Sequence, residues 1–88
     1  MILLSKVIRP LLGVAFNLIF TFVIIFLNGK RKEVAPGTAL LSVITERGYK
    51  PGQVVIELNQ AIIARTKYNE TFLTENDTVE ILEFVGGG

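Results

Sequence analysis

The sequence contains no cysteine and no histidine among its 88 residues. Without cysteine, the chain has no disulfide framework, no thiolate metal site and no cysteine nucleophile. Without histidine, it lacks the commonest general base and the commonest metal ligand of proteins. Both absences argue against a self-contained hydrolase or metalloenzyme, and we assign no catalytic and no metal-binding residue within the chain.

Charge is also sparse, because nine basic and eight acidic residues leave a formal net charge of +1. A protein that binds nucleic acid neutralises phosphates with a dense basic surface, which this charge balance does not supply. The one basic run, residues 30–32, directly follows an Asn-Gly pair and is typical of a solvated hairpin end. We therefore predict no nucleic-acid partner.

No charged residue occurs between Pro10 and Leu27, where Asn17 is the most polar side chain. Such a run reaches the lower limit, about 18 to 20 apolar residues, for a helix that spans a bilayer. Basic residues flank it on both sides, at Lys6 and Arg9 and again at residues 30–32. One hypothesis is therefore a small binding module that this segment anchors in a membrane.

The distal part of the same run favours a different structure. Residues 22–27 are rich in β-branched and aromatic side chains, and the Asn28-Gly29 pair that follows is a strong hairpin signal. If they form a strand, only residues 10–21 remain, and a segment of about 10 to 14 residues is too short to cross a bilayer. That remainder is then a packed or interfacial helix. The two interpretations thus predict a helix and a strand for the same residues.

Alternating hydrophobicity and turn residues predict four further strands. They cover residues 31–34, 54–59, 61–65 and 78–85. A tight turn at Asn59-Gln60 joins two of them. Residues 66–73 are predicted to be an irregular connection that holds three large side chains against the core, namely Tyr68, Phe72 and Leu73.

One helix is predicted between the second and third strands, over residues 39–47. Thr38 is the expected N-cap, because its hydroxyl can accept a hydrogen bond from an otherwise unpaired backbone N–H. Gly48 is the expected C-terminal stop. The helix carries one apolar stripe, made of Leu40, Leu41 and Ile44.

In the last strand, alternation places Val79 and Ile81 on one face and Leu82 and Phe84 on the other. Neither face is polar throughout. Leu82 and Phe84 either contact neighbouring parts of the chain or form an exposed apolar patch on which a partner docks. The sequence leaves both interpretations open.

This order of elements predicts an α+β fold, the ubiquitin-like β-grasp, in which one main helix lies across a mixed sheet. This fold prediction divides the chain into three parts. Residues 1–21 are an apolar N-terminal extension, helical or anchor-like, residues 22–85 are the β-grasp domain, and residues 86–88 are a flexible tail of three glycines.

From residue 23 to residue 88 the chain resembles the sulfur carrier proteins of thiamine biosynthesis, the ThiS family. No single segment carries the resemblance; the order and spacing of several do. The matching segments are LNG at residues 27–29, ELN at 57–59, IIAR at 62–65, DTVEIL at 77–82 and FVGGG at 84–88.

The chain departs from the family pattern in two places. Many relatives have Gly-Asp before the last strand, where this chain has Asn76-Asp77, and asparagine tolerates positive φ better than most residues. Relatives also usually begin near the first strand, and its outward positions are often polar. Here an extension precedes that strand, and its outward positions are apolar, so we expect another part of the protein or a partner to cover them: Phe22, Ile24 and Phe26.

The resemblance implies a carrier rather than an enzyme, with no cofactor bound to the chain. An E1-like, ThiF-like adenylyltransferase would use ATP to activate the carboxylate of Gly88. A sulfur donor such as a cysteine desulfurase would then leave a terminal thiocarboxylate, which a ThiG-like thiazole synthase consumes. Gly86 and Gly87 would form a thin tail that enters the partner's active site, because glycine lets the enclosing backbone approach closely. Leu82 and Phe84 are the candidate docking residues.

Three alternatives share parts of this pattern. The first is the carrier of molybdopterin synthesis, which also ends in Gly-Gly. The second is a ubiquitin-like modifier, which would use the same activated C-terminus to acylate lysines. The third is the small binding module that residues 10–27 would anchor in a membrane. The carrier hypothesis predicts a cytoplasmic protein or, alternatively, a protein of the plastid stroma. Membrane contact through the extension is the less favoured expectation.

Overall fold

The computed structural model describes residues 22–84, which form five strands and one α-helix. Two short 3-10 turns, Pro51–Gln53 and Arg65–Lys67, lie between these elements. In chain order the elements are β1 (Val23–Leu27), β2 (Lys30–Val34), α1 (Leu40–Glu46), β3 (Val54–Leu58), β4 (Ala61–Ile63) and β5 (Thr78–Glu83).

The five strands form one mixed sheet in the order β2-β1-β5-β3-β4. β1 and β5 are parallel, and the other neighbouring pairs are antiparallel. The last strand in the sequence therefore lies in the middle of the sheet, between β1 and β3. This architecture confirms the predicted β-grasp fold with one main helix.

Residues 23–27 settle the conflict between the membrane and strand interpretations. They pair with β2 in an antiparallel hairpin whose register runs from Val23 opposite Val34 to Leu27 opposite Lys30. The membrane-anchored hypothesis requires these residues to be helical, and that prediction is wrong. Between residues 22 and 84, no helix is both long and apolar enough to cross a bilayer. The predicted extension, residues 1–21, and the glycines of the tail lie outside the described residues.

One face of the sheet packs against α1 and holds the core. Alternate residues of β1, β3 and β5 point to this face, because successive side chains of a strand lie on opposite sides. Full burial of each such aliphatic side chain contributes about 1.5 to 3 kcal/mol. The most deeply buried members are Ile25, Leu40, Val43, Ile44, Ile56 and Val79. The opposite side of the sheet is called the outer face below.

The predicted N-cap of the helix is wrong by one residue. Ala39 occupies the N-cap position and makes no side-chain cap hydrogen bond. The hydroxyl of Thr38 instead donates a hydrogen bond to the carbonyl oxygen of Ala35, at 2.6 Å. Thr38 therefore closes the turn before the helix rather than capping the helix itself.

Backbone carbonyl groups of the 66–73 connection replace the missing cap. The N–H of Leu40 donates to the carbonyl of Thr71 at 2.8 Å, and the N–H of Leu41 donates to that of Tyr68 at 2.9 Å. These bonds satisfy donors that a helix leaves unpaired at its first turn. A contact between segments distant in sequence thus starts the helix, and no local motif indicates it.

The same connection holds two of the three predicted side chains in the core. Tyr68 and Leu73 are each 3% exposed, which confirms the prediction for them. The prediction for Phe72 is wrong, since its side chain is 58% exposed. Residue 72 bridges to Ala39 as an isolated pair of extended residues, and its side chain lies on the opposite side from that of Leu73, as extended backbone requires.

The predicted stop of the helix at Gly48 is confirmed. Gly48 has a φ of +87°. Its N–H donates to the carbonyl of Thr45 at 2.9 Å, and the N–H of Tyr49 donates to that of Ile44 at 3.2 Å. This pair of hydrogen bonds is the Schellman arrangement, which uses a left-handed residue to end a helix.

Both predicted hairpin turns have two central residues at positive φ. Asn28 and Gly29 have φ values of 49° and 81°, and Asn59 and Gln60 have values of 52° and 72°. Such turns match the right-handed twist of the strands that they join. Asn76 has a φ of 68°, so the asparagine before the last strand does adopt the positive φ that this residue type tolerates.

Candidate docking surface

The central strand β5 leads directly to the C-terminal residues. It lies between β1 and β3, so both of its edges are hydrogen-bonded. The described part of the chain ends at Phe84, whose N–H donates to the carbonyl of Gln53 at 2.9 Å. Phe84, the last described residue, is therefore held in place by the Pro51–Gln53 turn.

Two reciprocal hydrogen bonds hold the Pro51–Gln53 turn in place. The N–H of Gln53 donates to the carbonyl of Lys50 at 2.9 Å. In return, the N–H of Lys50 donates to the side-chain Oε1 of Gln53 at 2.8 Å. The reciprocal bonds leave the Gln53 carbonyl in a defined position to receive the N–H of Phe84.

The two candidate docking residues are exposed at the C-terminal end of β5. Leu82 is 49% exposed and Phe84 is 41% exposed. Leu82 lies on the outer face opposite the half-buried Val55 of β3. Within the described residues the two side chains thus form an exposed patch, whereas contact with the N-terminal extension, the other interpretation, involves residues outside that part of the chain. That a partner docks there stays a prediction.

A second exposed apolar row lies on the outer face of β1. Phe22 is 50% exposed and Phe26 is 37% exposed, with the half-buried Ile24 between them. The outward position predicted for these three residues is confirmed. Phe26 lies beside Thr78, four residues before Leu82 along β5, so about 13 Å separates this row from the patch at Leu82.

Asn28 of the LNG segment continues the pairing of β1 with β5 beyond the end of β1. Its N–H donates to the carbonyl of Val79 at 2.9 Å. Its side-chain Oδ1 accepts a hydrogen bond from the N–H of Ile81 at 2.7 Å. A side chain thus replaces the next backbone acceptor and supports the half of β5 that leads to the tail.

We expect the Asn28→Gly variant to lower the free energy of unfolding by about 1 to 2 kcal/mol, because the partly buried N–H of Ile81 loses its acceptor. Glycine keeps the positive φ of this turn, so the loss isolates the side-chain hydrogen bond. Urea denaturation measures it. The control, Asn28→Asp, keeps an acceptor at the same place and should lose less; equal losses in both variants would contradict this role.

Asn59 and Asp77, from the ELN and DTVEIL segments, tie the β3–β4 turn to the start of β5. Asn59 Nδ2 donates to Asp77 Oδ1 at 2.9 Å, and Asn59 Oδ1 accepts from the N–H of Thr78 at 2.9 Å. Asp77 Oδ2 accepts from the N–H of Thr74 at 2.8 Å. With Asp77 only 8% exposed, these bonds set where β5 begins.

One feature of the outer face has no signal in the sequence. Glu57 of β3 lies directly opposite Glu80 of β5. The alternation of β5 places Glu80 and Glu83 on opposite faces, so the local pattern pairs neither of them with another carboxylate. The residue opposite Glu80 depends on which strand pairs with β5 and in which register. The local sequence pattern predicts neither the strand order nor the register.

Comparisons with known proteins agree with this architecture. The model of the ThiS family matches residues 25–88. A thiazole synthase of Magnetococcus marinus is 36% identical over 64 residues, which are 73% of this chain and 20% of that protein. The sulfur carrier protein ThiS of Bacillus subtilis is 46% identical over 35 residues, which are 40% of this chain and 53% of that protein. The matches thus span about a fifth and about half of these curated relatives.

A solved structure shares the fold. The crystal structure of the thiamine biosynthesis protein ThiS from Geobacter metallireducens superposes with a TM-score of 0.64 at 28% sequence identity, over 75% of this chain and 100% of that one. The family match covers most of this chain, from within β1 to the last glycine. The chain therefore belongs to the ThiS family.

Proposed function

We propose that this protein is a sulfur carrier of thiamine biosynthesis that bears sulfur as a thiocarboxylate on Gly88. The observation that carries the proposal is the match to the ThiS family, which extends through the glycine tail to residue 88. The position of β5 supports it, because this central strand ends beside Phe84, which is held by Gln53 and lies next to another exposed apolar side chain, Leu82.

The chemistry explains why the tail needs a partner. A carboxylate is a poor electrophile, so the Gly88 carboxylate must first displace pyrophosphate from ATP and form an acyl-adenylate. A sulfur nucleophile then displaces AMP from the acyl carbon. Where this nucleophile is a persulfide, the product is an acyl disulfide, and a second thiol must cleave it by forming a new disulfide, which releases the thiocarboxylate. We assign ATP binding and catalysis to a ThiF-like adenylyltransferase, and delivery of the sulfur to a donor such as a cysteine desulfurase. This chain acts as co-substrate and not as the enzyme.

The three glycines suit this route. Glycine has no Cβ, so the backbone of an enclosing active site can approach the chain closely from every side. Gly86 and Gly87 would occupy the narrow entrance, and Gly88 would reach the reacting atoms. Leu82 and Phe84, at the base of the tail, would contact the partner outside that entrance.

Thiazole synthase is the proposed acceptor of the sulfur. In support, the thiazole synthase of Magnetococcus marinus contains a segment related to this chain within a much longer polypeptide. A carrier and its acceptor that share one polypeptide meet at high effective concentration. We infer that the same two activities meet here as separate chains or domains.

Intact-protein mass spectrometry tests the proposal. The full chain is incubated with ATP, a ThiF-like adenylyltransferase and a sulfur donor. We expect a mass gain equal to the replacement of one oxygen by sulfur, localised to Gly88 by fragmentation. An unchanged mass, with the same adenylyltransferase shown to be active on another carrier, would refute the proposal. Sulfur transfer to a molybdopterin acceptor but not to thiazole synthase would assign the other branch of carriers.

A further inference from the structure

Glu57 and Glu80 form a pair of like charges in the middle of the outer face. They are Cα partners in the antiparallel pairing of β3 with β5. Both point away from the core, because Ile56 and Val79, their neighbours in sequence, are fully buried. Side chains in such a pair start about 5 Å apart at Cβ, and like charges directly opposite each other destabilise a sheet.

Neither carboxylate forms an ion pair with a basic side chain in the described part of the chain. The ion pairs between residues 22 and 84 use other carboxylates, those of Glu33, Glu46 and Glu70. Among the five strands, only β2 contains basic residues. Its one outward-pointing cation, Arg31, bonds to Glu33 at 3.3 Å and is separated from β5 by β1.

Apolar side chains border the two carboxylates. The next outward-facing pair along the same strands is Val55 with Leu82, about 7 Å away. On β4, Ile62 lies opposite Glu57 and is 71% exposed. A protein that covers Leu82 would therefore remove water from the neighbourhood of both carboxylates, and unpaired charges in such a place are costly.

We propose that Glu57 and Glu80 together bind one arginine side chain of the partner that activates the tail. The inference rests on the proposed function, since that partner must hold this face while it acts on Gly88. A guanidinium is planar and presents five N–H donors, so it can bond to two adjacent carboxylates at once. A partner surface that fits has this arginine surrounded by apolar side chains, which contact Leu82 and Ile62.

The arrangement predicts opposite effects on stability and on binding. Neutralising the pair removes a repulsion from the free protein, and it also removes two acceptors from the complex. The Glu57→Gln/Glu80→Gln double variant should therefore have a melting temperature about 2 to 4 °C above that of the unaltered protein. Its Kd for the adenylyltransferase should be about 30-fold higher, most of it through faster dissociation.

The experiment measures this Kd by surface plasmon resonance, with the full chain and a ThiF-like adenylyltransferase. The matched control is the Glu70→Gln/Glu46→Gln double variant, which makes the same change in net charge. Glu46 ends α1, and Glu70 lies in the connection that starts α1, so both are on the helix side of the sheet. We expect the control to bind within about twofold of the unaltered protein.

The possible results separate the inference from the proposed function. If the unaltered chain gains sulfur but the Glu57→Gln/Glu80→Gln variant binds as tightly as the control, the arginine site is wrong and the carrier function stands. A lower melting temperature of that variant would also overturn the inference, because the carboxylates would then serve the fold. If the unaltered chain neither binds nor gains sulfur, the proposed function fails and the inference fails with it.

Discussion

Deletion of Gly88 is expected to abolish the gain of sulfur while the fold stays intact. The reacting carboxyl group would move to Gly87, one residue nearer the sheet. Because Phe84 is hydrogen-bonded to Gln53, the tail cannot recover the lost length by sliding, and one residue spans about 3.3 to 3.6 Å. A displacement of about 1 Å at a reacting centre can cost about 100-fold in rate. Intact-protein mass spectrometry measures the loss.

Two substitutions at Gly87 serve as graded controls for this prediction. Gly87→Ala adds one methyl group and should slow sulfur gain, whereas Gly87→Val adds a branched side chain and should reduce it about 100-fold or more. All three variants should keep the thermal unfolding transition of the unaltered chain, since the described core ends at Ile81. Full sulfur gain by the Gly88 deletion would show that the terminal position is not the reactive one.

Replacement of Asp77 by alanine is expected to cause the largest loss of stability outside the apolar core. The variant loses the hydrogen bonds from Asn59 Nδ2 and from the N–H of Thr74. Because residue 77 is only 8% exposed, water is poorly able to replace the lost acceptor of these two donors. Each hydrogen bond to a charged group contributes about 1.5 to 3 kcal/mol, so we expect the free energy of unfolding to fall by about 3 kcal/mol, measured by urea denaturation.

A double-mutant cycle with Asn59→Gly identifies the cause of that loss. Glycine keeps the φ of +52° at residue 59 and removes only the side chain. If Asn59 and Asp77 act as one unit, the double variant will lose clearly less stability than the sum of the two single variants. Additive losses would mean that the bond between Asn59 and Asp77 contributes nothing of its own. A loss below about 1 kcal/mol for Asp77→Ala would contradict the prediction itself.

Much of the fold follows from local patterns. The Asn28-Gly29 pair predicts a hairpin because both of its residues tolerate positive φ. The alternation along β5 predicts that Val79 and Ile81 share one face and that Leu82 and Phe84 share the other, and the structure shows that the first face is buried. The apolar run before this hairpin was ambiguous for a physical reason: a lipid-facing helix and a buried strand both require apolar side chains. Pairing of β1 with β2 and β5 resolves it.

The local errors have a common cause. Thr38 and Phe72 were assigned from residue type, one as a cap and the other as a core side chain. In the structure the 66–73 connection lies against the first turn of α1, and its backbone carbonyls bond to Leu40 and Leu41. This contact makes a side-chain cap unnecessary and turns Phe72 away from the core. A tertiary contact thus overrode two reasonable local preferences.

For the candidate site, the sequence by itself predicted the proposed reactive residue, Gly88, and placed Leu82 and Phe84 together on one face of the last strand. These follow from residue identity and from the two-residue period of a strand, which are local properties. Only the tertiary structure decided that β5 lies between β1 and β3, that Gln53 holds the base of the tail, and that Glu57 faces Glu80. Strand order and register depend on the burial of the whole core, to which residues far apart in the sequence contribute together.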